Sequence, residues 1–193
     1  MNRADRKLWA SARTLDDLCE LTAMWLEGEL EQTPGHLSPP MPETAEITAE
    51  LIAANRAGFL TAGSQPGRPL TPDGSRQHAA VTGFVPASRL GAVRAALDVA
   101  GLDYTEAGST RWVTSYRTAV AVTFDRGLAF TSFGCRISRR GLRWEFGGCH
   151  RDAVREVCDA WQVTVIDKTA GRNDRLWPAL ASLASLAGEQ VQR

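Results

Sequence analysis

The sequence predicts one α+β domain, with a central, mostly antiparallel sheet or sheets flanked by N- and C-terminal helices. Three observations predict it. Apolar residues recur at helical spacing up to Gly58 and again from Arg151 onward. Between them, runs rich in Val, Thr, Phe, Tyr and Trp broken by glycine read as antiparallel strands. No internal repeat or composition break divides the 193 residues, so residues 1–193 form one domain. A chain of this length buries well over half of its unfolded surface without disulfide or metal staples.

The elements follow in order. Asn2 to Lys7 lead into a polar helix pattern. Thr14 and Asp17 form a capping box with a shortened reach, followed by Leu15, Leu18, Thr22, Trp25 and Leu26 at helical spacing. Gly28 then supplies the stop. Four prolines between Thr33 and Pro42 make 33–42 a loop. Glu43 opens a second helix with acidic residues at its positive end, an apolar face of Ile47, Leu51 and Ala54, and Gly58 as its end. A short strand at Phe59–Thr61 runs into the turn chemistry of residues 62–67, and 65–76 continue as a polar loop. A strand (78–85), a helix ending at Gly101 and a strand beginning at Leu102 come next. The region 111–146 predicts three or four strands, 151–161 a helix, 162–166 a strand and 174–187 a closing helix.

Charge and composition narrow the function classes. Lys plus Arg and Asp plus Glu are both 22, which argues against a nucleic-acid partner, because backbone binding leaves a basic excess. The cluster Arg136, Arg139, Arg140 and Arg143 reads as a solvated hairpin edge. No run approaches the roughly 20 apolar residues of a membrane span, and no apolar signal-peptide segment follows the N-terminus. Cys19, Cys135, Cys149 and Cys158 do not form a secreted disulfide framework. A reduced, cytoplasmic protein is the expectation. No Cys-x₂₋₄-Cys spacing marks a metal site, so no metal is expected.

Two constellations carry candidate chemistry. Cys149 and His150 precede a helix, where a thiol can be acidified, and Asp152 or Glu145 would orient the histidine. Adjacent residues need not face each other, however. Residues 43–67 are the second: a helix end, a short strand, then hydroxyls and glycines. Thr61, Ser64 and the amides near Gly63 suit a polar small molecule such as a ribose or carboxylate, and equally a plain turn with a satisfied serine.

The second stretch resembles a known family. Pro42-Glu43-Thr44, Asn55, Gly58, Leu60-Thr61 and Ser64-Gln65-Pro66 are similar, in order and spacing, to the C-terminal regulatory domain of eukaryotic methylenetetrahydrofolate reductase. The likeness continues in Leu15, Leu18, Glu20 and Gly28, in Gln77-His78-Ala79 with Val81–Phe84 and the helix to Leu97, and in Asn173-Asp174 with Leu176-Trp177. It implies binding of S-adenosylmethionine or S-adenosylhomocysteine through Glu43, Thr44, Thr61, Ser64 and Gln65, with Thr114 and Thr123 as more loosely aligned contacts. The loop after Ser-Gln-Pro is shorter here and lacks the family's Trp-Gly and Gly-Gly-Tyr elements, and its Thr-Trp-Gly-Ile-Phe-Pro-Gly segment has no counterpart. No residues correspond to the catalytic barrel, so neither flavin chemistry nor folate reduction is implied. The sequence also resembles uncharacterised stand-alone actinobacterial proteins of similar length.

These readings predict a non-catalytic binder or sensor of an adenosyl compound, which orders the 33–42 and 65–76 loops around it. It would dimerise or dock on a regulated partner through exposed tryptophans, Trp25 and Trp161 being read as core. The alternatives are an enzyme acting on a nucleotide-like substrate through Cys149 and His150 or the 61–67 loop, and an interaction protein with no ligand.

Overall fold

The computed structural model describes residues 1–108 and 119–191, with side chains up to residue 185. Helix α1 (Arg3–Ser11) is capped by Asn2, whose side chain accepts the Asp5 amide at 2.8 Å. Helix α2 (Leu15–Leu26) begins at the expected capping box. Thr14 accepts the Asp17 amide at 3.0 Å, and the Asp17 carboxylate accepts the Arg13 and Thr14 amides at 2.7 and 3.0 Å. The hydrogen bond from Arg13 leads in holding that carboxyl below its ordinary value. Gly28, at φ +82°, turns the chain out of α2 as only glycine does without strain.

The second helix does not run unbroken from Glu43. A 3-10 helix (Pro42–Ile47) leads into α3 (Thr48–Arg56), because Ile47 departs from α geometry at φ −126° and ψ 8°. Strand β1 (Leu60–Gln65) extends through residues that the sequence reads as a turn. There follow β2 (Arg76–Gln77), β3 (Ala80–Val85), α4 (Ala87–Val99), β4 (Asp103–Ala107), β5 (Val120–Asp125), β6 (Leu128–Phe133), α5 (Arg139–Glu145), α6 (Arg151–Asp159), β7 (Trp161–Ile166) and α7 (Leu176–Val191).

The described part of 111–146 thus holds two strands and a helix. Arg139, Arg140 and Arg143 lie on α5 and not on a hairpin edge. Ser138 caps this helix by accepting the Gly141 amide at 3.1 Å, and Leu142 and Phe146, one turn apart, are buried. Burial of that pair overrides the β propensity of the surrounding residues.

Among the described residues, seven strands form two antiparallel sheets, one in the order β1-β3-β7-β4 and one in the order β2-β5-β6. The α+β class holds. Alternation along β3 sends Val81 and Val85 to a core shared with Ile47, Leu51, Val163, Val165, Trp177 and Leu180. Phe84 points the other way, into a core with Trp9, Leu18, Leu60, Leu142 and Val157. Helices α3, α4 and α7 therefore cover one face of the larger sheet, and α1, α2, α5 and α6 the other. Among the described residues no helix is long and apolar enough to cross a membrane, and all four cysteines are free thiols.

Candidate functional site

A cleft of about 210 Å³ is lined by four consecutive residues of β1, Thr61 to Ser64, where that strand forms an edge of the larger sheet. The other walls come from α2 (Thr22, Trp25, Leu26), Thr44, Leu51, the loop from Thr33 to Met41, and Glu145 with Phe146 at the end of α5. Thr44, Thr61 and Ser64, predicted as contacts, are therefore brought together. Glu43 is exposed and does not line the cleft.

A bulge decides how β1 presents its hydroxyls. In a regular strand Thr61 and Ser64 would point to opposite sides. Here the register slips between Thr61 and Gly63, leaving Ala62 as an extra residue, so Thr61 pairs with Gly83 and Ser64 with Val81. Those partners lie two residues apart on β3, hence both hydroxyls share one side. Asn55, fully buried, fixes the first of them. Its side chain accepts the Thr61 amide at 3.1 Å and donates at 2.8 Å to both the Leu51 carbonyl and the Thr61 hydroxyl. The Thr61 hydroxyl accepts that bond and keeps its own proton to donate into the cleft.

The loop over the cleft is rooted in α1 and stacked on α2. Buried Asp5 accepts the Glu31 and Gln32 amides at 3.0 and 3.3 Å, and the Trp9 indole donates to the Gln32 carbonyl at 3.0 Å. The His36 ring stacks on Trp25 with centroids 5.8 Å apart and planes inclined by 13°. The Trp25 indole donates to the Ser38 carbonyl at 3.3 Å. Trp25, assigned to the core from sequence, is half-buried and forms a wall of the cleft. Gly35 of this loop lies against the Glu145 side chain: a Cβ placed there would sit 3.0 Å from its Cγ. Burial alone pushes the Glu145 carboxyl above its ordinary value.

Gln65 and Thr123 meet each other, but away from the cleft. The Gln65 amide donates to the His78 carbonyl at 2.9 Å, and its oxygen accepts from Thr123 at 3.1 Å and Thr131 at 3.4 Å. This joins the two sheets. Beyond it, Gln77 donates to the Pro66 carbonyl at 2.7 Å. Asn173 accepts the Gly67 amide at 2.7 Å, donates back to its carbonyl at 3.2 Å, and takes the Trp177 indole at 3.0 Å. A Cβ on Gly67 would come within 2.8 Å of the Arg172 backbone. The Asn173 and Trp177 motif thus latches the 65–67 segment, and no residue of 65–76 lines the cleft. Thr114 lies outside the described residues.

Cys149 and His150 occupy another place. His150 caps α6, its Nδ1 accepting the Asp152 amide at 3.3 Å with the Asp152 carboxylate at the same distance. Burial pushes the Cys149 thiol up to about 12, opposite to the acidification a nucleophilic thiol needs. Glu145 turns toward Gly35 and the cleft, where the sequence reading has it orienting His150.

Residues 4–187 match the family described as "Domain of unknown function (DUF6919)". The chain belongs to this family. The match takes in every cleft-lining residue, from Thr22 to Phe146, as well as the Asn173 latch. No curated protein matches the sequence. In this DUF6919 chain, asparagine-fixed Thr61 and bulge-aligned Ser64 bring two hydroxyls to the cleft; Trp25 packs on both cores, as the sequence predicts, and also forms a wall, and Glu145 is a cleft residue that sequence reasoning assigned elsewhere.

Proposed function

We propose that this chain binds an adenosyl compound of the S-adenosylmethionine or S-adenosylhomocysteine class in the cleft, as a non-catalytic binding or sensing domain. The observation that carries this reading is the convergence of Thr44, Thr61 and Ser64 on one cleft beside the Trp25 ring. Those hydroxyls suit a ribose, and a purine would stack on the Trp25 ring by displacing His36, which now lies on it. Small-molecule sites usually span roughly 300–1,000 Å³, so a cleft of about 210 Å³ calls for the 33–41 loop to shift as the ligand enters. A ligand that favours the shifted state moves that population by its differential affinity. The ordering falls on this loop, because 65–76 is latched elsewhere.

Thermal unfolding with S-adenosylmethionine, S-adenosylhomocysteine and adenosine, each added separately, tests the reading. At about 100 times its dissociation constant, a ligand adds about 2.7 kcal/mol, a rise of roughly 5–10 °C for a chain of this size. The rise should vanish in the double variant Thr61→Val, Ser64→Ala. No rise with any of the three compounds overturns the adenosyl reading and leaves the interaction reading ahead.

A further inference from the structure

The arginines of α5 face a groove that shares no lining residue with the cleft. It has a volume of about 1010 Å³ and runs between α5 and α6. Arg139 and Arg143 line it from α5, and Arg151 and Arg155 from α6. Each pair is spaced four residues apart, so both members lie on one face of their helix. The rest of the lining is uncharged except for Asp159 and contains no aromatic residue. All four arginines are exposed. Arg139 is paired with Asp159 and Arg155 with Asp152, but ion pairs between exposed side chains contribute little, so both arginines exchange partners at small cost. The guanidiniums of Arg143, and of Arg140 three residues before it, have no ion pair among the described residues.

Residues 136–155 hold six of the 22 basic residues but only two of the 22 acidic ones, which leaves 16 basic against 20 acidic in the rest of the chain. Zero net charge thus conceals a basic groove on an otherwise acidic molecule. We infer that this groove docks an acidic segment of a partner protein, whose carboxylates the four arginines receive. The planar guanidinium fork matches a carboxylate with two parallel hydrogen bonds. Trp144, 82% exposed, follows Arg143 and stands one turn from Arg140. Tryptophan and arginine are the residues that most often anchor protein partners. Nucleic acid carries the same sign of charge but fits less well. Single strands bind where bases stack on aromatic side chains along a basic groove, and no aromatic residue lines this one. A long phosphate backbone would also meet the acidic remainder of the chain, whereas a short acidic segment meets the groove alone.

The test is fluorescence anisotropy at about 50 mM salt, with a labelled oligoglutamate peptide and, beside it, a labelled oligothymidylate of equal charge. The peptide should bind the native chain with a dissociation constant below about 1 mM, and more weakly as salt rises. Arg143→Gln combined with Arg151→Gln should weaken it about fivefold. Arg3→Gln combined with Arg13→Gln removes the same charge from exposed positions outside the groove and should change binding less than about twofold. Both double variants should unfold within about 2 °C of the native midpoint, which excludes a folding defect as the cause. Oligothymidylate bound as tightly as the peptide, or more tightly, overturns the protein partner in favour of nucleic acid. A peptide that does not bind, or that both double variants weaken alike, overturns the groove as a docking site.

Discussion

Two neighbouring stretches of one motif behave in opposite ways. From Gln65 to Gly67 the polar groups are tied to distant parts of the chain: His78, Thr123 and Thr131 for Gln65, Gln77 for Pro66, and Asn173 for Gly67. From Thr61 to Ser64, a few residues earlier, the hydroxyls face a cleft, and only Thr61 is held, by Asn55. The first stretch builds the frame, whereas the hydroxyls of the second line the cleft with Asn55 holding Thr61 alone. Residues of one sequence pattern therefore divide into those tied into the fold and those that line the cleft, and only their partners tell them apart.

The largest effect expected from breaking this division is at the latch. Asn173→Ala removes the acceptor for the Gly67 amide and the Trp177 indole, and should lower stability by about 2–4 kcal/mol, measured by denaturant unfolding. Gln65→Ala removes the link between the sheets and should cost about 1–2 kcal/mol, with any ligand-induced stabilisation retained. Thr61→Val should cost about 1 kcal/mol, since it leaves one Asn55 proton unpaired. It should also abolish the ligand-induced rise, which the Gln65 change does not. If both variants affect binding alike, the division fails.

Glu145→Gln should act in the other direction. Burial raises the native carboxyl above the ordinary 4.5, so the native state holds that proton more tightly than the unfolded chain. The associated stability is present below the ordinary value and is lost as pH rises through the raised one. The variant should therefore gain a few tenths to about 1 kcal/mol at neutral pH, about 1–3 °C in midpoint, and the gain should disappear in melts below pH about 4. Cys149→Ala should leave binding unchanged when titrated beside the native chain, since its thiol does not line the cleft.

Much of the fold was legible because its signals are local. The Thr14–Asp17 box and the Gly28 and Gly58 stops each act within a few residues, and the alternation of Val81, Gly83 and Val85 against Ala80, Thr82 and Phe84 marks a strand buried on both faces. Helix α5 was misread because Ile137, Trp144 and Phe146 favour strands, while the Leu142–Phe146 spacing that gives a helix spans a single turn. In the candidate site, Thr44, Thr61 and Ser64 were found through a motif that sits in one segment. Glu145 was not, since the loop it lies against, at Gly35, is remote in sequence and offers no side chain to signal the contact. Trp25 does pack on both cores, as its apolar helical position implies, and the cleft wall it also forms depends on a loop outside its helix.

The extra residue in β1 has a consequence for how this cleft can change. Removing Ala62 would bring Thr61 and Ser64 to the two-residue spacing of a regular strand, which also sets both hydroxyls on one side. Straightening the strand at its present length would instead turn the serine to the opposite side. Chain count and register are therefore coupled at this cleft: a member of the family with the two hydroxyls one residue closer together would keep their common side by dispensing with the bulge.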